Sequence, residues 1–219
     1  MTVYVAFPGS TRLVANVGRL NDAIKQQPEV VQQALIHEIS LDFISEVLAA
    51  FFDGPLRRLN AQGSMASVLN GFVSIIGKAS RSLVNRVFDD ISAAEQQHLA
   101  AQFAAAQVQR DEAVWIGFPL ADEVASEAAL TFASFHSGTG DEAQLVRVMG
   151  HFADGAIEHF FDRTLGAVQT GPVTRRLVSA GRATIHKAAH TSMRKTLPGL
   201  HPKLRLPVLD YFADMLVEA

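Results

Sequence analysis

The sequence predicts a mainly α-helical protein, an internally duplicated bundle in which each half contains one short strand and about four helices. Apolar residues recur at helical spacing along most of the chain. The second half also repeats the first: residues 3–8 (VYVAFP) return 111 positions later as residues 114–119 (VWIGFP), with three identities and three conservative exchanges. We therefore divide the chain into a first structural repeat, 1–110, and a second, 111–219, joined in one compact pseudo-two-fold domain.

Two further matches lie at an offset of 109 residues, as a two-residue deletion in one loop would produce. They are Phe51–Asp53 (FFD) with 160–162 (FFD), and 76–79 (IGKA) with 185–188 (IHKA).

Each repeat opens with a strand, because a β-branched and aromatic run is closed there by Phe-Pro. We expect the two strands to pair as a small ribbon. A lone ribbon is only marginally stable, so the helices must cover it.

The first repeat continues with four helices. The first spans about 10–25, and the second has Pro28 in its first turn and is stopped by Gly54-Pro55. The third covers about 65–88, and the fourth runs from a Ser92-to-Glu95 capping box to about 110.

The second repeat keeps this order. Its helices span about 121–136, then about 142–168 after a capping box at 139–142. Pro172 opens the next helix and Pro198 follows its end, and Pro207 opens a last helix through Leu216.

The second helix of each repeat should be central. In the first repeat its apolar residues between Ile36 and Phe52 cover about 220° of the helical wheel, well beyond the stripe of an ordinary surface helix. Such a helix must pack on more than one side.

Composition excludes several classes of function. Zero cysteines exclude disulfides, thiolate catalysis and cysteine-bound metal. No apolar stretch is long enough for a membrane span, and no secretory leader opens the chain, so we expect a cytoplasmic protein. With 48% hydrophobic and 19% charged residues, the chain has apolar surface to offer a partner.

The net charge of −3 conceals a segregation of charges. Residues 54–88 carry five Lys or Arg and 163–209 carry nine, both without an acid, whereas 89–162 carry thirteen acids. The basic face of the third helix in the second repeat predicts an anion site, completed by an aromatic residue of the strand. Its residues are Arg175, Arg182, His186, His190, Arg194 and Trp115.

A structural alternative accounts for the same face. It could lie in water or pack against the acidic stripes of the second helices. These stripes are Glu38, Asp42, Glu46 and Asp53 in the first repeat, and Asp154, Glu158 and Asp162 with His151 in the second. Nucleic acid is disfavoured as a partner by the acidic total and by the scarcity of aromatic residues near this face.

The sequence indicates no metal or other cofactor and no catalytic residue. His186 and His190 are four apart, which suits a metal, but the third ligand must come from elsewhere and Arg182, Lys187 and Arg194 would repel a cation. Glu95 and His98 have the spacing of a di-iron motif, which the second repeat lacks. No nucleophile elbow or phosphate loop occurs.

These observations favour a non-enzymatic interaction or regulatory protein that acts through protein–protein surfaces, with a protein partner or with a second copy of itself. The Ala-rich fourth helix at 100–105 is the expected contact. The alternative is a binder of an anionic or amphipathic small molecule in a cleft between the repeats, near Tyr4 and Trp115. A metal-dependent hydrolase is the third possibility.

Overall fold

The computed structural model describes residues 2–59, 64–198 and 200–219, with the side chains of these residues except 64–66. Within them the protein is mainly helical, with one small antiparallel sheet. The sheet has the strand order β2-β3-β1-β4. Its strands are β1 (Val3–Pro8), β2 (Gln107–Arg110), β3 (Ala113–Pro119) and β4 (Leu216–Glu218).

The central pair of the sheet joins the first strand of one half of the chain to the first strand of the other. β1 pairs with β3 antiparallel, with Ala6 opposite Gly117, which confirms the expected pairing of these strands. A Cβ on Gly117 would lie 2.6 Å from the Cβ of Ala6, so only a residue without a side chain fits there. The two small residues allow the strands to approach closely.

The outer strands β2 and β4 were not predicted. The expected helices to about 110 and through Leu216 are too long, because these helices end at Ala105 and Asp214. β2 pairs with β3 and β4 pairs with β1. Segments of three or four residues are too short to show a periodicity, and partners distant in sequence decide their conformation.

Ten α-helical segments lie in the described residues. In the first half they are α1 (Thr11–Gln26), α2 (Gln33–Leu48), α3 (Gly54–Arg58), α4 (Ser64–Val87) and α5 (Ala93–Ala105). In the second half they are α6 (Asp122–His136), α7 (Glu142–Ile157), α8 (Arg163–Gly166), α9 (Pro172–Thr196) and α10 (Pro202–Asp214).

The second helix of each half continues through a π-helical turn. Turn π1 (Ala49–Asp53) joins α2 to α3, and turn π2 (Glu158–Asp162) joins α7 to α8. The predicted stop at Gly54-Pro55 is therefore wrong. Pro55 is tolerated because it occupies the first turn of α3, where a backbone N–H is not required.

Helix starts follow the capping signals unevenly. The Ser92–Glu95 capping box and the Pro172 start are confirmed. The expected capping box at 139–142 is wrong, because Asp141 caps α7 by accepting from the Ala143 backbone N–H, while the Thr139 hydroxyl donates to the Ser134 carbonyl. The second helix begins at Gln33 rather than Pro28, and α10 begins at Pro202 with Pro207 inside it. Neither Pro28 nor Pro207 marks the start of its helix, because the packing of the following turns decides where helical hydrogen bonds begin.

The core surrounds the second helices α2 and α7, which pack against the sheet and against α1, α5, α6 and α10. Ile36 and Ile39 of α2 and Val148 and Phe152 of α7 are fully buried, as the wide apolar arcs predicted. The third helices α4 and α9 cross closely: a Cβ on Gly181 would lie 2.4 Å from Leu83 Cδ1. On α5, Ala100 and Phe103 are buried in this core, so only part of the Ala-rich surface is open. None of the described helices combines the length and apolar character needed to cross a bilayer.

Candidate functional site

Three adjoining apolar cavities follow the boundary between the two halves, and we call their combined lining the apolar seam. The central cavity, of about 90 Å³, lies among α2, α4, α7, α9 and both π-helical turns. A cavity of about 30 Å³ shares Phe43, Ile44, Ser80, Phe160 and Phe161 with it. A third, of about 60 Å³, shares Phe51.

The π-helical turns supply the aromatic part of the seam. Phe51 comes from π1, and Phe160 and Phe161 come from π2. Phe160 packs edge-on against Phe118 of β3, with ring centroids 5.7 Å apart. Because a π-helical turn carries one more residue per turn, it displaces the helix face locally, and such turns occur often at functional sites.

Among the described residues that line this seam, His159 is the titratable one. Its ring stacks on Phe118 with centroids 5.6 Å apart, and it lines the smallest cavity. Burial lowers the pKa of His159, and the nearby Arg163 lowers it further. Burial penalises the imidazolium form, so the neutral imidazole is favoured in the folded protein. His159 is not among the site residues predicted from the sequence.

A polar cluster lies on the outer side of the same α7–α9 contact, and we call it the His-Asp cluster. Nε2 of His190 lies 2.7 Å from Oδ1 of Asp154, and Nε2 of His186 lies 3.2 Å from the same oxygen. The two imidazole rings stack with centroids 4.2 Å apart. The side chains are partly exposed, at 48% for Asp154, 45% for His186 and 25% for His190.

Arg182, one helical turn before His186 on α9, contacts the same acidic stripe. Its Nε donates to both carboxylate oxygens of Asp162, at 2.7 and 2.9 Å. This hydrogen bond and the charge of Asp162 raise the pKa of Arg182. Part of the basic face of α9 therefore lies against the acidic stripe of α7, as the structural alternative predicted.

The other residues of the predicted anion site are spread more widely. Arg175 donates to the Thr170 carbonyl at 3.4 Å and lines a surface groove of about 700 Å³ beside Asp162. Arg194 is exposed in the last turn of α9. Trp115 lies in β3 opposite Pro8, and the guanidinium of Arg110 covers its ring at 4.4 Å.

The acidic stripe of the first half has different partners. Asp42 of α2 forms an ion pair with Arg12 of α1, and Glu46 accepts a hydrogen bond at 3.1 Å from the backbone N–H of Ser10. Asp42 is buried, and its Oδ2 has no partner among the described residues. In this half the stripe thus meets the first helix, whereas in the second half it meets the third.

The carboxylate partner of His186 and His190 could be anticipated in part. Helical phase places His186 and His190 on one face and Asp154 in an acidic stripe. It does not say which turn of one helix meets which turn of the other. That register is set by the crossing of α7 over α9, where His190 lies over Gly150.

No protein-family model, curated protein or solved structure matches this chain.

Proposed function

We propose that this protein binds a slender amphipathic molecule, an unbranched alkyl chain with an anionic head, in the apolar seam between its two halves. One observation carries the proposal: three apolar cavities adjoin along a single boundary. These cavities are partly open to solvent, and small-molecule sites are typically concave and mostly apolar. A row of such cavities beside half-buried phenylalanines is therefore a feature that a ligand would explain.

The size of the cavities narrows the ligand class. Each is smaller than the roughly 150 Å³ cavity that accommodates benzene in an engineered protein. A fused ring system would need a larger single space. A flexible chain can instead pass from one void to the next by displacing the side chains that they share, chiefly Phe51 and Phe160.

The α9 face supports the anionic head. Among the described residues, no acidic side chain lies within salt-bridge distance of Arg175, Arg176, Lys187 or Arg194. Of these cations, Arg175 lines the surface groove that shares Leu165 with the smallest cavity of the seam. An alkyl chain that leaves the seam at this end would place its head near the charge of Arg175.

An internal duplication supports a ligand site at the boundary. In β1 and β3 the residues equivalent at the 111-residue offset, Ala6 and Gly117, are opposite one another, and the sheet order is symmetric about them. Both π-helical turns end in the repeated Phe-Phe-Asp. We infer a pseudo-two-fold axis through the central strand pair, with the seam between the repeats.

Thermal unfolding with added carboxylates tests the proposal. We expect dodecanoate to raise the unfolding temperature and butanoate, which is too short to fill the seam, to leave it unchanged. Ala156→Leu places a larger side chain in the central cavity and should abolish the effect of dodecanoate. Overpacking a filled core costs about 1–3 kcal/mol. If Ala156→Leu lowers the free energy of unfolding by less than about 1 kcal/mol, the result supports a central cavity with room for the larger side chain.

Ala104→Leu, on the exposed side of α5, is the control variant and should keep the dodecanoate response of the unmodified protein. Equal stabilisation of the Ala156→Leu and Ala104→Leu variants would contradict a site in the seam. No stabilisation of the unmodified protein by any alkyl carboxylate of eight to about fourteen carbons would reject the proposal itself.

The second candidate function is association of two copies of the chain, the protein–protein role that the sequence favoured. Val173 and Leu177 are one turn apart at the start of α9, 73% and 38% exposed. Arg175 and Arg176 lie beside them, and another copy offers complementary charge in the acid-rich stretch 89–162. Light scattering should give a dimer mass that Val173→Ser with Leu177→Ser reduces to the monomer; a monomer at all concentrations would reject it.

A further inference from the structure

The His-Asp cluster brings three side chains with metal-ligand chemistry to one point. Among the described residues, Asp154, His186 and His190 are the group whose ligand atoms all lie within 4.8 Å of one another. Two imidazole nitrogens and one carboxylate oxygen form a ligand set used by zinc and by other first-row transition metals. We propose that these three residues bind one divalent transition-metal ion of the zinc type.

The distances suit this assignment. Zinc bonds of about 2.0–2.2 Å in a tetrahedral arrangement separate neighbouring ligand atoms by about 3.3 Å. The two Nε2-to-Oδ1 distances are 2.7 and 3.2 Å. All three ligand atoms lie within 4.8 Å of one another, close to the spacing that one zinc ion requires.

The hydrogen-bonding state of the cluster is compatible with a cation. The two imidazoles direct their Nε2 atoms at the same oxygen while their rings stack at 4.2 Å. Without a metal, each neutral ring carries its proton on Nε2 and donates it to that oxygen. A metal ion bound at the two Nε2 atoms leaves each neutral ring with its proton on Nδ1, and the carboxylate then shares one positive centre with both rings.

The surrounding charges permit a cation. The sequence raised Arg182, Lys187 and Arg194 as repelling residues. Arg182 is held by both oxygens of Asp162, which offsets its charge. Lys187 and Arg194 are exposed, where solvent and salt screen them. In π2, Glu158 pairs with Arg163 at 2.8 Å.

The site leaves at least one coordination position open. Three protein ligands with about half of Asp154 and of His186 exposed leave room for water or for an anionic group of a ligand. The ligand face of α9 is held in place, because the residues directly before His186 and His190, Ile185 and Ala189, are buried in the core. This site does not depend on the proposed seam ligand.

Metal binding by the full chain, purified without a histidine tag, tests the site. Zn²⁺ is titrated in competition with a chromophoric chelator, and Co²⁺ is titrated by its visible absorption. We expect one ion per chain. His190→Ala and His186→Ala should each weaken binding by at least about tenfold, the loss typical of disturbing a metal site.

Asp154→Asn is the decisive variant, because its amide oxygen still accepts hydrogen bonds from the imidazoles but ligates zinc poorly. It should fold, as checked by circular dichroism, and lose Zn²⁺ affinity. His98→Ala removes an exposed histidine of α5 and should keep the affinity of the unmodified chain. Absence of stoichiometric binding, or binding that Asp154→Asn and both histidine variants leave intact, would overturn the proposal.

Discussion

Individual residues at the boundary between the halves are adapted to close contact. Gly117 leaves space for Ala6 across the central strands, and Gly155 leaves space for Phe118, whose Cε2 would lie 2.3 Å from an added Cβ. Phe118 in turn contacts Phe51, Phe160 and His159. A few small residues therefore decide how near the aromatic cluster comes to the sheet.

His159 should make folding stability depend on acidity. Its pKa is lowered in the folded protein from an ordinary value of about 6.5, mainly by burial and to a smaller extent by the charge of Arg163. Well above that pH both folded and unfolded states hold the neutral ring, and the residue has no effect. As the pH falls below it, the unfolded chain binds the proton first, so stability is lost.

Urea unfolding at pH 7.5 and pH 5.5 measures this effect. His159→Phe keeps an aromatic ring against Phe118 but cannot titrate, so we expect it to lose less stability on acidification than the unmodified chain. His98→Ala, at an exposed position, should retain the original pH dependence. An identical slope in His159→Phe would show that His159 does not carry it.

At the scale of the elements, the π-helical turns are where helices and halves are joined. Tyr211 of α10 donates from its hydroxyl to the Ala50 carbonyl of π1 at 2.8 Å. Burial raises the pKa of Tyr211, so the neutral hydroxyl that donates this bond is retained. A second link between the halves lies outside the π-helical turns. Glu95 completes the N-terminal cap of α5 and also accepts a hydrogen bond from the Gln169 backbone N–H at 2.6 Å.

Gly54→Ala should disrupt the docking of α10 on the first π-helical turn. An added Cβ would lie 2.0 Å from the Tyr211 hydroxyl oxygen and 2.4 Å from its Cζ, so the ring must move. We expect the free energy of unfolding to fall by about 1–3 kcal/mol, as for other overpacked sites. Chemical denaturation measures it.

Gly71→Ala is the matched control, since no atom lies within 4 Å of its added Cβ. In an exposed helix interior this exchange should stabilise by about 0.5–1 kcal/mol. The cost of Gly54→Ala should shrink in a Tyr211→Ala background, because the two residues are in contact. An equal cost in both backgrounds would contradict the steric origin.

At the scale of the whole molecule, the sheet ties the two halves together. β2, at the end of the first half, pairs with β3 of the second, and β4, at the end of the second, pairs with β1 of the first. The last strand of each half thus pairs with the first strand of the other half. Neither central strand keeps a free edge inside the sheet, and the apolar seam lies between halves that are joined at this sheet.

The sequence by itself determined the helical class, most helix positions and the pairing of the two Phe-Pro strands, because these follow from local periodicity, capping chemistry and the likeness of the two strand segments. It also identified His186 and His190 as neighbours on one face. The tertiary structure decided what short-range patterns cannot encode: the edge strands, the π-helical turns, and the meeting of Asp154 with the histidines. These depend on the register between elements distant in sequence, which the packing of the whole core sets.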